Sequence, residues 1–397
     1  MKADLHVQVL IVGAGPAGLT AAISLASCGL KVVVVEKSSE IGGWIVCGEA
    51  VQSFVLEKLG LVESKAALSK IKMVRITSPN FQSEAVIEGA GYAIDKSLML
   101  KMMALKAAQN GVTLFTNTRF VSVERKGTKV RADFVGKGWV NSVETDVVIG
   151  ADGGNSKVAR VFGLPTPSKS AVRYGISALI ASPSIRKDVI EFFVSPEFGK
   201  GYAWIFGKDD GLGNIGVITD KGWNSADRLM EKFVSERFRS FSVIRYGKKA
   251  VPSGGIKKMV DDNVLLIGDA AALADPLSYA GIWTAVESGF MASKVVSEAF
   301  SHGNFSVKFL RRYQDEVRKA LGRRWKLLRT LEGVVEKFST KDWDDLLRIA
   351  DNIFGDNRLT DLSPFTVMST LLKDSAFMSF IARKSGHALV SLVQNVI

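Results

Sequence analysis

The 397-residue sequence predicts an α/β (α+β) chain: a discontinuous Rossmann-like domain, an antiparallel-sheet domain inserted into it, and a helical C-terminal region. Three observations carry this. Residues 7–36 read as strand, glycine turn, helix and strand, the span of one βαβ unit. Two apolar runs, Val147-Val148-Ile149 and Val264-Leu265-Leu266-Ile267, return far downstream as strands of the type buried on both faces. Between them, residues 168–250 change to short β-like runs separated by turns, the texture of an antiparallel sheet. A single core rarely grows past roughly 250–300 residues, so a second packed region is expected at this length.

In chain order, Val7–Val12 is the first strand, Ala17–Ser27 the first helix and Lys31–Glu36 the second strand. Leu98–Asn110 carries apolar residues at helical spacing, and Thr113–Phe115 follows as a short strand. Residues 120–150 alternate like a meander. Tyr174–Ala181, Val189–Val194, Ala203–Phe206 and Asn214–Ile218 are the strands of the insertion. A helix is expected from about Gly281, and the chain beyond Phe305 reads as helical and mixed. The Rossmann-like domain thus takes residues 1–70, 93–167 and 251–304, the inserted domain 71–92 and 168–250, and the helical region 305–397.

Composition narrows the function classes. Two cysteines and three histidines exclude a disulfide scaffold and make a cysteine- or histidine-based metal site unexpected. No signal-peptide pattern opens the chain, and no uncharged stretch reaches the roughly 20 residues needed to span a bilayer. A cytoplasmic protein is expected, with peripheral contact at the inner membrane face open to it. The net charge is +12, and Arg311–Arg329 holds eight basic residues against Asp315 and Glu316. That segment is either a solvated helix face or an attractor of anionic lipid headgroups or a phosphorylated substrate. No nucleic-acid module accompanies the charge. The apolar tail Leu362–Ile397 either packs on the body or adds to membrane contact.

Gly13-Ala14-Gly15-Pro16-Ala17-Gly18 is a GxGxxG turn between strand and helix, completed by Glu36 at the end of the next strand. Gly13 permits the tight turn, Gly15 lets backbone approach a pyrophosphate, Gly18 allows close helix–strand packing, and Ala17 lies in the same turn. An acidic residue at position 36 accepts hydrogen bonds from ribose hydroxyls and disfavours a 2′-phosphate. Gly150-Ala151-Asp152-Gly153 with Ser156, and Gly268-Asp269, follow the two later apolar strands. A carboxylate at Asp269 suits the hydroxyls of a ribityl chain, so FAD is expected rather than NAD. No second GxGxxG unit supports a stably bound nicotinamide cofactor.

These segments together resemble the para-hydroxybenzoate hydroxylase-like flavoproteins over roughly the first 300 residues. Four local patterns resemble the geranylgeranyl reductase family within that group. They are Glu40-Ile41-Gly42 with Val46-Cys47-Gly48-Glu49-Ala50, and Tyr202-Ala203-Trp204-Ile205-Phe206-Gly207-Lys208. Gly211-Leu212-Gly213-Asn214-Ile215-Gly216 and Asp275-Pro276-Leu277-Ser278 through Gly281-Ile282 complete them. The resemblance implies hydride transfer from reduced flavin to isoprenoid C=C bonds on lipids or diphosphates, as in archaeal membrane lipids. It implies cofactor contacts at Cys47, Gly48, Ala50, Lys96, Asp269, Gly281 and Ile282, and a substrate wall at Tyr202, Trp204 and Phe206. By itself an aromatic stripe of period two is more often core than pocket; the resemblance favours pocket wall.

Cys47 has three readings: a plain buried thiol, a loop contact to the flavin, and a catalytic acid or redox thiol. Cys28 is expected to pack within its helix. The chain departs from the family at Lys96 (arginine), Gly207 (proline) and Tyr279-Ala280-Gly281 (three glycines). The electron donor stays open among NAD(P)H, reduced deazaflavin and a ferredoxin-like carrier. Two competing classes share the fold: a flavin monooxygenase, and an electron-transferring flavoprotein without an alkene substrate. The halogenase W-x-W-x-I-P motif is absent.

Overall fold

In the computed structural model, which describes residues 3–43, 46–88, 91–137, 139–355 and 370–385, the chain builds three sheets and a C-terminal helical layer. Five parallel strands form the first sheet's centre in the spatial order Thr113–Phe115, Val32–Val35, Ala3–Val12, Val140–Gly150, Val264–Leu266. Counted along the chain, this is order 3-2-1-4-5, the doubly wound arrangement. Val9, Leu10 and Ile11 have no exposed surface, as a central parallel strand buried on both faces requires. Strand Lys129–Val135 pairs antiparallel with Val140–Gly150 and, on its other edge, with Arg119–Lys126, as the alternation over 120–150 predicts. Helix Pro16–Ser27 packs along helix Ile282–His302, where a side chain at Gly289 would meet the Ala17 carbonyl at 2.8 Å.

The second sheet has seven strands in the order Ser242–Pro252, Val172–Ala181, Leu212–Thr219, Tyr202–Asp209, Val189–Phe193, Met73–Thr77, Glu84–Glu88. Its pairs are antiparallel except Val189–Phe193 with Met73–Thr77. Period-two alternation divides its faces. Ala203, Ile205, Ile215 and Val217 pack under helix Trp223–Arg237, while Trp204, Phe206, Ile190 and Ile218 face the other way. A small sheet of Ala50–Val51, Tyr92–Ile94 and Ala67–Lys70 joins the two regions.

Helix Val307–Val335 crosses both cores. Leu310, Tyr313, Val317, Leu321 and Trp325 belong to the first core, and Leu327, Leu328, Leu331 and Val334 to the second. Helices Thr340–Gly355 and Ser375–Ser385 lie beyond it. Of the tail Leu362–Ile397, only 370–385 falls within the described residues. Among the described residues no helix is long and apolar enough to cross a membrane. Cys28 does not pack in its helix; it is exposed at the C-cap, one residue past the last helical turn.

Candidate functional site

The C-terminal ends of the parallel strands open onto a continuous cavity of about 800 Å3, lined at one end by Gly15 and Glu36 and at the other by helices Thr340–Gly355 and Ser375–Ser385. Open α/β sheets place their ligands at this edge. The glycine turn divides its roles. A Cβ at Gly13 (φ +108°) would meet the Ala151 carbonyl at 2.3 Å, and one at Gly18 the Gly13 carbonyl at 2.0 Å. Both stand behind the wall, fixed by close backbone packing. Gly15 faces the cavity, and a Cβ there would meet nothing within 4 Å. Bare backbone at a helix N-terminus is the cradle an anionic pyrophosphate needs. The Glu36 carboxylate accepts from the N–H groups of Ala14 (3.0 Å) and Ser38 (2.9 Å), which aims it along the same wall. Its remaining lone pairs suit hydroxyl donors.

The second motif works differently. Asp152 accepts from Ser156 Oγ (2.6 Å) and from the backbone N–H groups of Lys157 (2.6 Å) and Val158 (3.1 Å). Its carboxylate builds the short helix Lys157–Val161, leaving Ala151 and Gly153 on the cavity wall. Asp269 does face the cavity, and the Lys249 ammonium lies 2.8 Å from it. That carboxylate raises the Lys249 pKa above its ordinary value. Gly281, at the start of helix Ile282–His302, leaves Asp269 room: a Cβ there would come within 3.3 Å of its Oδ1.

The loop holding Cys47 is tied to the aromatic strand through one amide. Asn214 donates to the Cys47 carbonyl (2.7 Å) and to Glu49 (3.2 Å), and accepts from the Trp204 indole (2.9 Å). The Cys47 sulfur accepts from the Glu49 N–H at 3.4 Å. Glu49 takes a left-handed backbone (φ +62°), and its side chain has no exposure. It accepts from the Lys96 N–H (3.1 Å) and pairs with Lys208 (3.0 Å) and Arg245 (2.6 Å). Gly48 is bare because a Cβ would lie 2.6 Å from the Phe206 ring. Gly216 is bare because the Trp204 indole lies across it, 2.2 Å from where a Cβ would be.

Tyr202, Trp204 and Phe206 line the cavity side by side, with neighbouring ring centroids 6.0 Å apart. Phe192 meets Tyr202 and Phe206 edge-on at 5.3 and 5.2 Å, and Tyr279 stacks on Tyr202 at 6.2 Å. Beyond this wall the lining is apolar, with Ile71, Val74, Ile87, Leu347, Phe354 and Phe377. Tyr202 donates to the Ser278 carbonyl, and burial pushes its phenol well above the ordinary tyrosine range.

Thirteen sequence-nominated residues lie on this wall: Gly15, Ala17, Glu36, Cys47, Gly48, Ala50, Lys96, Asp269, Gly281 and Ile282, with the three aromatics. Sequence reasoning did not nominate Glu49, Asn214, Lys249, Phe192 or Tyr279 as site residues. Glu49, Asn214 and Tyr279 sit inside the family-like motifs, which was their only signal, Tyr279 as a departure from the three-glycine turn. Tyr279, where three glycines were the family pattern, adopts φ +56° and donates to Glu332 (2.7 Å), which also pairs with Arg173. The tyrosine thereby fastens the turn to strand Val172–Ala181 and to the long helix.

In the basic segment, Arg312 pairs with Glu298 (2.6 Å), Arg318 donates to the Lys257 carbonyl (2.6 Å), and Arg329 donates to the Gly254 carbonyl. Arg324 lies over the Trp283 ring at 4.5 Å. Half of its eight cations therefore serve the fold.

Residues 6–205 match the family of FAD binding domains. The chain is 32% identical over 361 residues to a digeranylgeranylglycerophospholipid reductase of Methanothrix thermoacetophila, covering 88% of this chain and 92% of the relative. It is 30% identical to digeranylgeranylglycerophospholipid reductase 3 of Methanosphaera stadtmanae over 397 residues, 96% and 98% of the two chains. Among solved structures, a geranylgeranyl bacteriochlorophyll reductase-like protein from Thermoplasma acidophilum superposes with TM-score 0.89 at 23% identity, covering all of both chains. A halogenase solved with phloroglucinol and FAD superposes with TM-score 0.71 at 15% identity, over 98% of this chain and 96% of the halogenase.

Proposed function

The chain belongs to the geranylgeranyl reductase family of FAD-binding proteins, and from that premise we propose that it is an FAD-dependent oxidoreductase saturating C=C bonds of geranylgeranyl (isoprenoid) chains on lipids or diphosphates. The observation that carries this reading is the continuity of the cavity, a polar cradle that leads without partition into a chamber walled by aromatic and aliphatic side chains. The apolar chamber suits a long, methyl-branched, uncharged chain, and such a pocket keeps water away from the reacting alkene.

FAD fits the residues present. Gly15 and the N-terminus of helix Pro16–Ser27 would hold the pyrophosphate, Glu36 the adenosine ribose, and Asp269 the ribityl hydroxyls. Cys47, Gly48, Ala50, Lys96, Gly281 and Ile282 would line the flavin end, with Gly13 and Gly18 keeping the turn tight. When bound and reduced, FAD supplies hydride to one alkene carbon. The other carbon needs a proton, and Cys47 is the candidate to hold it, its sulfur kept in place by the Glu49 N–H. Tyr202, Trp204 and Phe206, which line the cavity, would stabilise cationic character developing on an alkene held against their ring faces. The electron donor is external: NAD(P)H, reduced deazaflavin or a ferredoxin-like carrier. The protein works from the cytoplasmic side against an anionic membrane surface, where its lipid substrate resides.

The test is anaerobic. Dithionite-reduced protein is mixed with geranylgeranyl lipid, flavin reoxidation is followed by absorbance and the product is weighed. Reoxidation with a gain of two hydrogens per double bond is expected. Oxygen incorporation under air would favour a monooxygenase, and reoxidation by quinone alone an electron-transferring flavoprotein.

A further inference from the structure

We propose that the edge strand Ser242–Pro252 and the turn before it are the surface on which the protein rests against an anionic bilayer. Among the described residues nine large hydrophobic side chains are exposed, and four fall within six positions here: Phe241 (41%), Val243 (55%), Ile244 (58%) and Tyr246 (44%). Scattered singly such residues need no explanation, but a cluster does. From Arg237 to Val260 the sequence has seven Lys and Arg and no acid. Arg245, Lys248, Lys249 and Lys258 pair with Glu49, Asp227, Asp269 and Asp261, and Arg237 lies over the Phe193 ring, so Arg239 is the cation beside the apolar cluster that meets solvent. Arg239, two residues from Phe241, is exposed. Apolar side chains that enter the headgroup boundary beside cations that meet anionic headgroups are the makings of an interfacial anchor. The basic segment Arg311–Arg329 lacks the first half, since it exposes no large hydrophobic side chain.

A second copy of the chain is the other occupant an edge strand invites, and the strand is built against it. Its pairing with Val172–Ala181 slips between Leu179↔Arg245 and Ile180↔Val243, leaving Ile244 as a bulge residue. Bulges and edge cations blunt strand addition. The strand also leads to the cavity: Lys248, Lys249 and Val251 are on its wall, about 7–17 Å of extended backbone from Tyr246. Docking here brings the cavity rim to the lipid.

The surface deepens the lipid-substrate reading, and its purpose rests on that reading, but its test does not. Full-length FAD-loaded protein is floated with vesicles of phosphatidylcholine alone or mixed equally with phosphatidylglycerol. Binding to the mixed vesicles is expected, with about a fivefold loss for Arg239→Ser and a larger loss for Phe241→Ser with Ile244→Ser. Arg311→Ser with Lys319→Ser and Arg323→Ser is expected to keep more binding than the apolar pair, and Ile244→Trp to gain emission quenched by brominated lipid. Melting temperature and bound-flavin absorbance check each variant's fold. No flotation, flotation that the apolar pair leaves untouched, or an unquenched Trp at 244 overturns the proposal. So does a dimer, seen by light scattering, that the apolar pair dissociates. Normal turnover of detergent-dispersed lipid with no flotation would sink this surface alone; flotation without turnover would sink the lipid-reductase reading alone.

Discussion

Asn214 holds more of the site than any residue that a motif would nominate for chemistry. Its amide is shared between the Trp204 indole and the Cys47 carbonyl, so one side chain sets the distance between the aromatic wall and the Cys47 loop. Asn214→Leu leaves a buried donor and a buried acceptor unpaired, each costing about 1–3 kcal/mol. We expect a fall of several degrees in melting temperature, with turnover lost more steeply than FAD affinity. Equal loss of both would show the amide to be merely structural. Glu49 makes the same point with charge. Glu49→Gln strands Lys208 and part of Arg245 in a buried setting, and breaking such a pair costs about 3–5 kcal/mol. Chemical denaturation should show it as a lower midpoint at unchanged slope. The glycine turn and Asp269 were legible in sequence because a local backbone shape dictates the residue type. The partners of Glu49 and Asn214 were not. Asn214 is 165 positions from Glu49 and Arg245 is 196, and no local spacing encodes such pairs.

Elements were legible where burial is two-sided or strictly periodic. The parallel strands at 3–12, 32–35, 140–150 and 264–266 announce themselves as apolar runs. Strand Ser242–Pro252 did not: as an exposed edge carrying Lys248 and Lys249 it lacks the alternation that marks a half-buried strand. Helix Trp223–Arg237 was missed because only Ala226, Met230 and Phe233 are buried on it. Helix Thr340–Gly355, which closes the cavity's far end, is pinned at its edges by polar contacts. Asp344 accepts from Asn80 (2.8 Å), Asp351 from the Val86 N–H (3.2 Å), and Asp342 meets Ser339 and Lys384. Burial alone would raise the Asp342 pKa, but Lys384 and Ser339 outweigh it and hold it below the ordinary 3.8. A carboxyl depressed by folding stabilises fully above its unfolded value and loses that contribution as pH falls through the folded one. The stability difference between wild type and Asp342→Asn should therefore be constant from neutral pH down to about 4 and shrink below it. A difference that instead grew on acidification would refute the assignment.

At the scale of the whole molecule, the long helix Val307–Val335 and the Arg173–Tyr279–Glu332 cluster lock the parallel-sheet region to the seven-stranded sheet, and the cavity runs through the seam. Cofactor end and chain end are thus built by different parts of the sequence, which makes them separable by mutation. Ala350, nearly buried and on the cavity wall, comes from helix Thr340–Gly355, far from the glycine turn. Ala350→Trp fills the distal chamber with an indole. Overpacking a built pocket costs about 1–3 kcal/mol, so kcat/KM for a geranylgeranyl lipid should fall by roughly 5- to 150-fold. FAD titration and dithionite reduction should be unchanged, since neither involves that chamber. A geranyl analogue, too short to reach the indole, should be turned over nearly as by wild type. If both chain lengths suffer equally, the chain does not extend toward helix Thr340–Gly355, and the apolar chamber serves only as packing between the two regions.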